Sequence, residues 1–272
     1  MSRFLVCPPD YFSIDYEINP WMRLSNRVQP DRARLQWQGL MKVLADKVGA
    51  TLERMAPAPG LPDMVFTANA GSVLGRKAVP SRFRHPERRR EEPFFEQWFR
   101  AHGYDVVTLE EGLYFEGAGD LLGFPDAWFG GYRQRSDIRS YASLSELFGR
   151  EIIPVELVDR RFYHLDTCFC PLSGGTLLYY PPAFDLYARR VIEDRIGQDL
   201  CVAVPESEAL RFACNAVCVG KQVVLPEGCA ETMARLAARG YEPCPVPLDE
   251  FMKAGGSAKC LTLALDQKAG EG

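Results

Sequence analysis

The feature that most constrains this chain is a repeat. Two short apolar runs separated by a turn, then a helical stretch, then a third apolar run recur along its 272 residues, with a period of about 45. One unit runs from Asp63-Met64-Val65-Phe66-Thr67-Ala68-Asn69 through Val73-Leu74 to a helix near Glu91 to His102 and the run Tyr104-Asp105-Val106-Val107. A second opens at Phe115-Glu116-Gly117-Ala118-Gly119-Asp120, a third at Tyr163-His164-Leu165-Asp166-Thr167 and a fourth at Ala213-Cys214-Asn215-Ala216. Their helices fall near Ser136 to Phe148, Phe184 to Ile196 and Cys229 to Arg239. The stretch Gly255-Gly256-Ser257-Ala258-Lys259-Cys260, followed by an alternating apolar run that reads as a short strand, stands at the matching place in a fifth. The N-terminus can complete that unit. Phe4-Leu5-Val6-Cys7 reads as a strand, and Asp31 can cap a helix to about Val48 with Leu35, Leu40, Val43, Leu44 and Val48 at helical spacing. Units of this size bury their apolar faces only by stacking, and closing the stack into a ring removes raw sheet edges. The expected fold class is α/β, a fivefold pseudosymmetric α/β propeller of repeated strand-strand-helix-strand units, forming one domain over residues 1–272.

If the units are equivalent, the turn that opens each of them points to a common axis. That gathers Asp63 and Asn69, Glu116 and Asp120, His164 and Asp166, Asn215, and Cys260 in one place. Singly, each has an ordinary explanation. A free cysteine is most often a small buried hydrophobe, and Asp63 after Pro62 or Asp166 before Thr167 reads as a turn or cap residue. Of the three histidines, His85 lies in the charged, exposed-looking stretch Arg82-Phe83-Arg84-His85-Pro86-Glu87-Arg88-Arg89-Arg90. His102 ends an amphipathic helix, where histidine is ordinary. Only His164 opens a unit beside an aspartate, so it is the candidate acid/base.

A thiol, an imidazole and several carboxylates on one axis point to covalent catalysis on a cationic electrophile. Carboxylates repel a developing oxyanion but pair with a planar guanidinium. Asp63, Glu116 and Asp166 thus read as a guanidinium cradle, and the bound cation or a protonated His164 would favour the Cys260 thiolate. Composition agrees with a small-molecule site. Apolar residues are 47% and charged residues 25% of the chain, and the formal net charge is −4, so there is no global basic field for nucleic acid or a membrane surface. No apolar stretch is long enough to span a bilayer, and the run before Pro8-Pro9 is too short for a signal peptide. The expected location is cytoplasmic, with the nine cysteines reduced. Cys168/Cys170 and Cys214/Cys218 lack structural-zinc spacing and read as core. No metal and no cofactor are expected. The aromatic loop from Tyr11 to Trp21 is the candidate lid, and Gln267 to Gly272 reads as a frayed tail.

Phe115-Glu116-Gly117-Ala118-Gly119-Asp120, His164-Leu165-Asp166-Thr167 and the near-terminal Cys260 resemble the guanidino-group-modifying superfamily, across nearly the whole chain. That superfamily holds arginine deiminases, amidinotransferases, dimethylarginine dimethylaminohydrolases and arginine dihydrolases on a fivefold α/β propeller. The resemblance implies that Cys260 attacks the guanidinium carbon and that His164 protonates the departing amine. A water activated by His164 would then hydrolyse the thiouronium. It further implies that Glu116 holds the guanidinium and orients His164, and that Asp166 pairs a guanidinium nitrogen. Arg88 and Arg135, with Arg84 and Arg133 as close competitors, would take the substrate α-carboxylate. Where dimethylarginine hydrolases commonly carry an acidic residue this chain has Asn69. Together with Glu17-Ile18-Asn19-Pro20-Trp21-Met22, that is more similar to the arginine dihydrolase branch, which takes arginine to ornithine, carbon dioxide and ammonia. Asn19 joins Asp63, Asn69, Asp166, Arg88 and Arg135 as a candidate substrate-binding residue. The expected partner is a small arginine-type guanidine, with a homo-oligomer open. Three readings compete: a dimethylarginine dimethylaminohydrolase giving citrulline and dimethylamine, so that methylated arginine stays open as the substrate; an amidinotransferase, although those are usually longer; and a non-catalytic propeller like a related ribosomal-subunit factor.

Overall fold

Five three-stranded sheets repeat one topology. In each, the first strand runs antiparallel to the middle one and the third runs parallel to it. The strands are β1 (Arg3–Val6), β2 (Thr51–Arg54), β3 (Gly71–Leu74), β4 (Lys77–Pro80), β5 (Asp105–Val106), β6 (Leu121–Gly123), β7 (Trp128–Tyr132), β8 (Ile152–Glu156), β9 (Phe169–Pro171), β10 (Leu177–Tyr179), β11 (Cys201–Ala203), β12 (Val217–Val219), β13 (Gln222–Pro226), β14 (Glu242–Val246) and β15 (Leu263–Ala264). The first four sheets take three successive strands each, from β3-β4-β5 to β12-β13-β14. The fifth joins the chain's two ends, with Phe4 opposite Ala264 and Arg3 beside Thr51. The fivefold α/β propeller expected from the repeat is the fold observed. The computed structural model describes residues 2–124 and 126–266; the glycine-rich tail from Gln267 lies outside them.

Each parallel pair is bridged by a helix: Pro30–Lys42, Glu92–Ala101, Ser140–Phe148, Leu186–Ile196 and Ala230–Ala238. Local chemistry sets where they start. The first begins at Pro30, whose missing N–H costs nothing in the first turn. Gln29 is its N-cap and Asp31 lies inside the first turn, so Asp31 is not the cap. Its buried face is Ala33, Trp37, Leu40, Met41 and Leu44; Leu35 is 68% exposed, contrary to its place in the expected apolar stripe. The helix then widens into a π-turn, Val43–Lys47, closed by Val48 N–H donating to Val43 O. The third helix starts at Ser140 instead of Ser136 because Asp120 holds both the Ser136 N–H and its hydroxyl. Asp185 caps the fourth through Ala188 N–H and Tyr187 N–H. The buried Glu208 carboxylate caps the fifth from another segment, accepting from Glu231 N–H and Thr232 N–H at 2.8 and 2.7 Å.

The turns that open the units meet at the axis and bond to one another in a closed ring. Asn69 Nδ2 donates to Glu116 O at 3.0 Å, and Leu165 N–H to Asp120 Oδ1 at 3.0 Å. Asn215 Nδ2 donates to Asp166 O at 3.0 Å, Ser257 N–H to Asn215 Oδ1 at 2.9 Å, and Ala68 N–H to Cys260 O at 3.1 Å. Buried backbone and carboxylate groups are thereby satisfied by the neighbouring unit. Close approach demands glycine at Gly117, where φ is +64° and a Cβ would stand 2.8 Å from Gly71 O. Cys168, Cys170 and Cys214 are buried core thiols, as expected, whereas Cys218 is half-buried at the core's edge, its Sγ accepting from Ser173 N–H at 3.4 Å. His102 caps its helix end, its Nδ1–H donating to Trp98 O at 2.7 Å.

Candidate active site

Cys260 follows the Gly255-Gly256 turn and is 3% exposed, with Sγ 3.4 Å from Asp166 Oδ2 and 3.1 Å from Asn215 Nδ2. Burial first, then Asp166, pushes its thiol well above the ordinary value, against weaker pulls from the Ser257 N–H, Asn215 and Lys259. Asp166 is itself pushed up to about 6 by burial, with Lys259 opposing. A guanidinium against this pair would lower both, which is the sense in which the sequence tied the thiolate to a bound cation.

His164 is fully buried, and its Nε2 lies 2.7 Å from Glu116 Oε2. A carboxylate only accepts, so Nε2 carries the hydrogen and Nδ1 is the nitrogen free to move a proton. Arg135 Nη1 reaches the same Oε2 at 2.9 Å, and Arg84 N–H reaches Oε1 at 3.2 Å. Burial alone would raise the Glu116 carboxyl; Arg135 and then His164 overcome it and hold it far below the usual range. Glu116 therefore has the geometry to orient His164, while its oxygens are engaged with protein partners. Asp120, which the repeat also brought to the axis, bonds to Ser136 and Leu165 N–H. It braces the His164 turn.

A cavity of about 10 Å³ sits among Ile18, Asn19, Asp63, Asn69, Arg88 and Cys260, room for about one water. On its wall Asp63 Oδ2 accepts from Tyr16 OH at 3.0 Å, while Asp63 Oδ1 is buried without a partner. Burial raises the Asp63 carboxyl, with Arg88 pulling it back. Arg88 forks onto Glu91 at 3.0 and 2.8 Å and donates to Asn69 Oδ1 at 3.0 Å. Arg135 also donates to Ile18 O at 3.0 Å and lies over the Tyr163 ring. Both arginines are buried. Arg133 is exposed and paired with Glu156, and Arg84 is half-buried against Tyr114. Asn19 ties the aromatic loop down, donating to Ala254 O at 3.0 Å and accepting from Trp21 N–H at 2.9 Å.

Cys260, His164, Glu116, Asp63, Asn69, Asp166, Arg88, Arg135 and Asn19 lie in or beside this one site, and the competitor Arg133 does not. Three more groups belong to the site to which the sequence gave no role: Asn215, which the repeat had already brought to the axis, Tyr163, whose OH donates to Gly255 O at 2.8 Å, and Glu91. Arg88-Arg89-Arg90-Glu91 carried a signal for the last, an arginine and a glutamate three apart at a helix start. His85, expected to be exposed, is half-buried with its basicity lowered by burial and then by Arg135. Among the described residues no group of three His, Cys, Asp or Glu side chains is placed to hold a metal. No helix among them is long and apolar enough to cross a membrane.

No family model matches the chain. It is 39% identical over 263 residues to the N(G),N(G)-dimethylarginine dimethylaminohydrolase of Mycobacterium tuberculosis, covering 97% of this chain and 85% of that one. The chain belongs to the guanidino-group-modifying superfamily. Within it, the chain is 47% identical over 268 residues to the bifunctional arginine dihydrolase/ornithine cyclodeaminase AgrE of Nostoc sp., covering 97% of this chain. It spans 38% of the length of that relative. Among solved structures, the N-terminal domain of ArgZ, described as an arginine dihydrolase from the ornithine-ammonia cycle in cyanobacteria, matches at a TM-score of 0.95 and 46% identity. The match covers 98% of this chain and 99% of that one. Two variants of that domain are known, one bound to substrate and one covalently bound to a reaction intermediate.

Proposed function

We propose that this chain hydrolyses the guanidinium of free arginine through a covalent bond to Cys260, by the arginine dihydrolase-type reaction. The observation that carries the reading is the buried Cys260 sulfur 3.4 Å from the Asp166 carboxylate, beside a cavity walled by an Asp63 oxygen that has no partner. Buried anions of this kind are stable only against a cation, and a guanidinium spans two carboxylates. The family relationship and the AgrE and ArgZ similarities favour the same substrate class.

In this mechanism the Cys260 thiolate adds to the guanidinium carbon. His164, its Nε2–H fixed on Glu116, protonates the departing ammonia and then takes a proton from the water that attacks the thiouronium. The first round leaves a ureido group on the ornithine side chain. A second attack by Cys260 expels the second ammonia, and hydrolysis gives a carbamate that loses carbon dioxide to leave ornithine. Arg88 and Arg135 keep donors for the substrate carboxylate besides those engaged with Glu91 and Glu116. A cavity of about 10 Å³ is far too small for arginine, so the loop carrying Ile18 and Asn19 acts as the lid and swings away to admit it.

The test is a product assay on the purified chain with arginine and asymmetric dimethylarginine supplied separately. Ornithine with ammonia from arginine is the expected result. Citrulline with dimethylamine from the methylated substrate would replace this reading with dimethylarginine hydrolysis, and no turnover of either would favour a binding role.

Asn69 separates the two hydrolytic outcomes. Its Oδ1 accepts from Arg88 and its Nδ2 donates to Glu116 O at 3.0 Å. Asn69→Asp adds a second carboxylate near Asp63, which holds a cationic guanidinium better and a neutral ureido group worse. It also turns an acceptor toward the Glu116 carbonyl. The citrulline-to-ornithine ratio is expected to rise roughly tenfold, equivalent to about 1.4 kcal/mol between the two exits. An unchanged ratio would remove Asn69 from control of the second hydrolysis.

A further inference from the structure

We infer that Asn215 is the positioning residue of the nucleophile: its amide oxygen fixes the Cys260 turn, and its amide nitrogen is held against Sγ to stabilise the sulfur as an anion. The purpose of this arrangement rests on the hydrolase reading; its geometry does not. Asn215 is fully buried at the opening turn of the fourth unit. Oδ1 accepts from Ser257 N–H at 2.9 Å and from Cys260 N–H at 3.1 Å. Those two donors decide the orientation of the amide, since an NH₂ in that place would face two N–H groups. The nitrogen therefore points the other way, to Asp166 O at 3.0 Å and Cys260 Sγ at 3.1 Å.

All four hydrogen-bonding sites of the side chain are used, and three of the four partners are backbone atoms of the axial ring. The fourth donor is thus aimed at sulfur by the fold itself. Asp166 faces the same sulfur from the other side at 3.4 Å. It suits an S–H donor and repels a thiolate. The charged and titratable groups around Cys260 are Asp166 and Lys259, with Tyr163 beyond. Two neutral donors act on Sγ, the Ser257 backbone N–H and the Asn215 amide at 3.1 Å, and Asn215 is the one of the two that is a side chain. An N–H donor to a thiolate favours the charged form. Aspartate in this place would keep the turn's acceptor and lose the donor; alanine would lose both.

The experiment follows alkylation of Cys260 by iodoacetamide against pH in the full chain, read on the Cys260 peptide by mass, for the unmutated chain, Asn215→Asp and Asn215→Ala. The midpoint of alkylation is expected to rise by about one unit in Asn215→Ala and further in Asn215→Asp. The kcat for arginine should fall roughly ten- to a hundredfold while KM changes less than about threefold. A merely structural role predicts lower melting temperatures with the midpoint unmoved, and that outcome overturns the inference. A measurement free of folding risk accompanies it. In the ¹⁵N-labelled unmutated chain the Asn215 side-chain amide proton should titrate with the Cys260 midpoint, and should be flat in Cys260→Ser. An amide that is flat in both overturns the inference. Shifted midpoints in a chain that turns over neither arginine nor its methylated form would leave the role of Asn215 standing and remove the hydrolase reading. Turnover with unmoved midpoints would do the reverse.

Discussion

Cys260→Ser is expected to lower turnover of arginine by roughly a thousandfold or more while the chain stays folded and still binds the substrate. The exchange is close to isosteric at a buried position, and Asp166 and Asn215 remain to satisfy a hydroxyl. What disappears is a nucleophile that a bound cation can ionise near neutral pH. A serine hydroxyl ionises far above a thiol, His164 is engaged with Glu116 at 2.7 Å, and the group against the nucleophile is the Asp166 carboxylate, too weak a base to ionise serine. The measurements are kcat by ammonia release, arginine binding by calorimetry, and trapping of a covalent adduct by mass. The expected pattern is binding retained, with turnover and adduct lost. Turnover within tenfold of the unmutated chain would mean that water attacks the guanidinium directly, and the covalent mechanism would fall.

The repeat made the ring and its axis legible because each unit opens with a turn that only neighbouring units can satisfy. Cys260, His164, Glu116, Asp63 and Asp166 followed from that periodicity plus their chemistry. Asn215 stood in the same register and still carried no assigned role, because an amide has no pKa or nucleophilicity to betray it. Its meaning lies in which two backbone N–H groups face its oxygen, and those belong to a turn 42 and 45 residues away. Arg88 and Arg135 were legible only through the resemblance, as arginines for the substrate carboxylate, and not by their burial or their partners. Glu91 is three residues from Arg88, whereas Glu116 is 19 from Arg135. Local misreadings have local causes. Helical spacing alone put Leu35 on the buried face of a helix that docks through Trp37, and a run of arginines made His85 look solvated although a short helix, Pro86–Arg89, folds it toward Glu116 and Arg135.

Glu116→Gln is expected to cost both stability and rate, and the two losses have separate signatures. Arg135 and Glu116 are 2% and 0% exposed in their side chains and 2.9 Å apart. Removing one partner of such a pair leaves an uncompensated buried charge, a loss of about 3–5 kcal/mol. The carboxyl is held far below its ordinary value of 4.5, so it contributes stability that is fully present above 4.5 and is lost as pH falls toward the folded-state value. Between the unmutated chain and Glu116→Gln, the stability gap measured by urea unfolding should be flat from neutral pH down to about 5 and narrow below it. The rate signature is independent of that gap. A glutamine can still accept from His164 Nε2–H through its oxygen, but it offers no negative charge to the imidazolium formed when Nδ1 takes a proton. Turnover should therefore fall about a hundredfold or more in chain that is still folded. The thiol-alkylation profile of Cys260 should move little, because Glu116 is not among the groups that act on the sulfur. A variant that melts with the unmutated chain and turns over arginine within threefold would show that neither Arg135 nor His164 depends on this carboxylate, and His164 would then need another group to fix its tautomer.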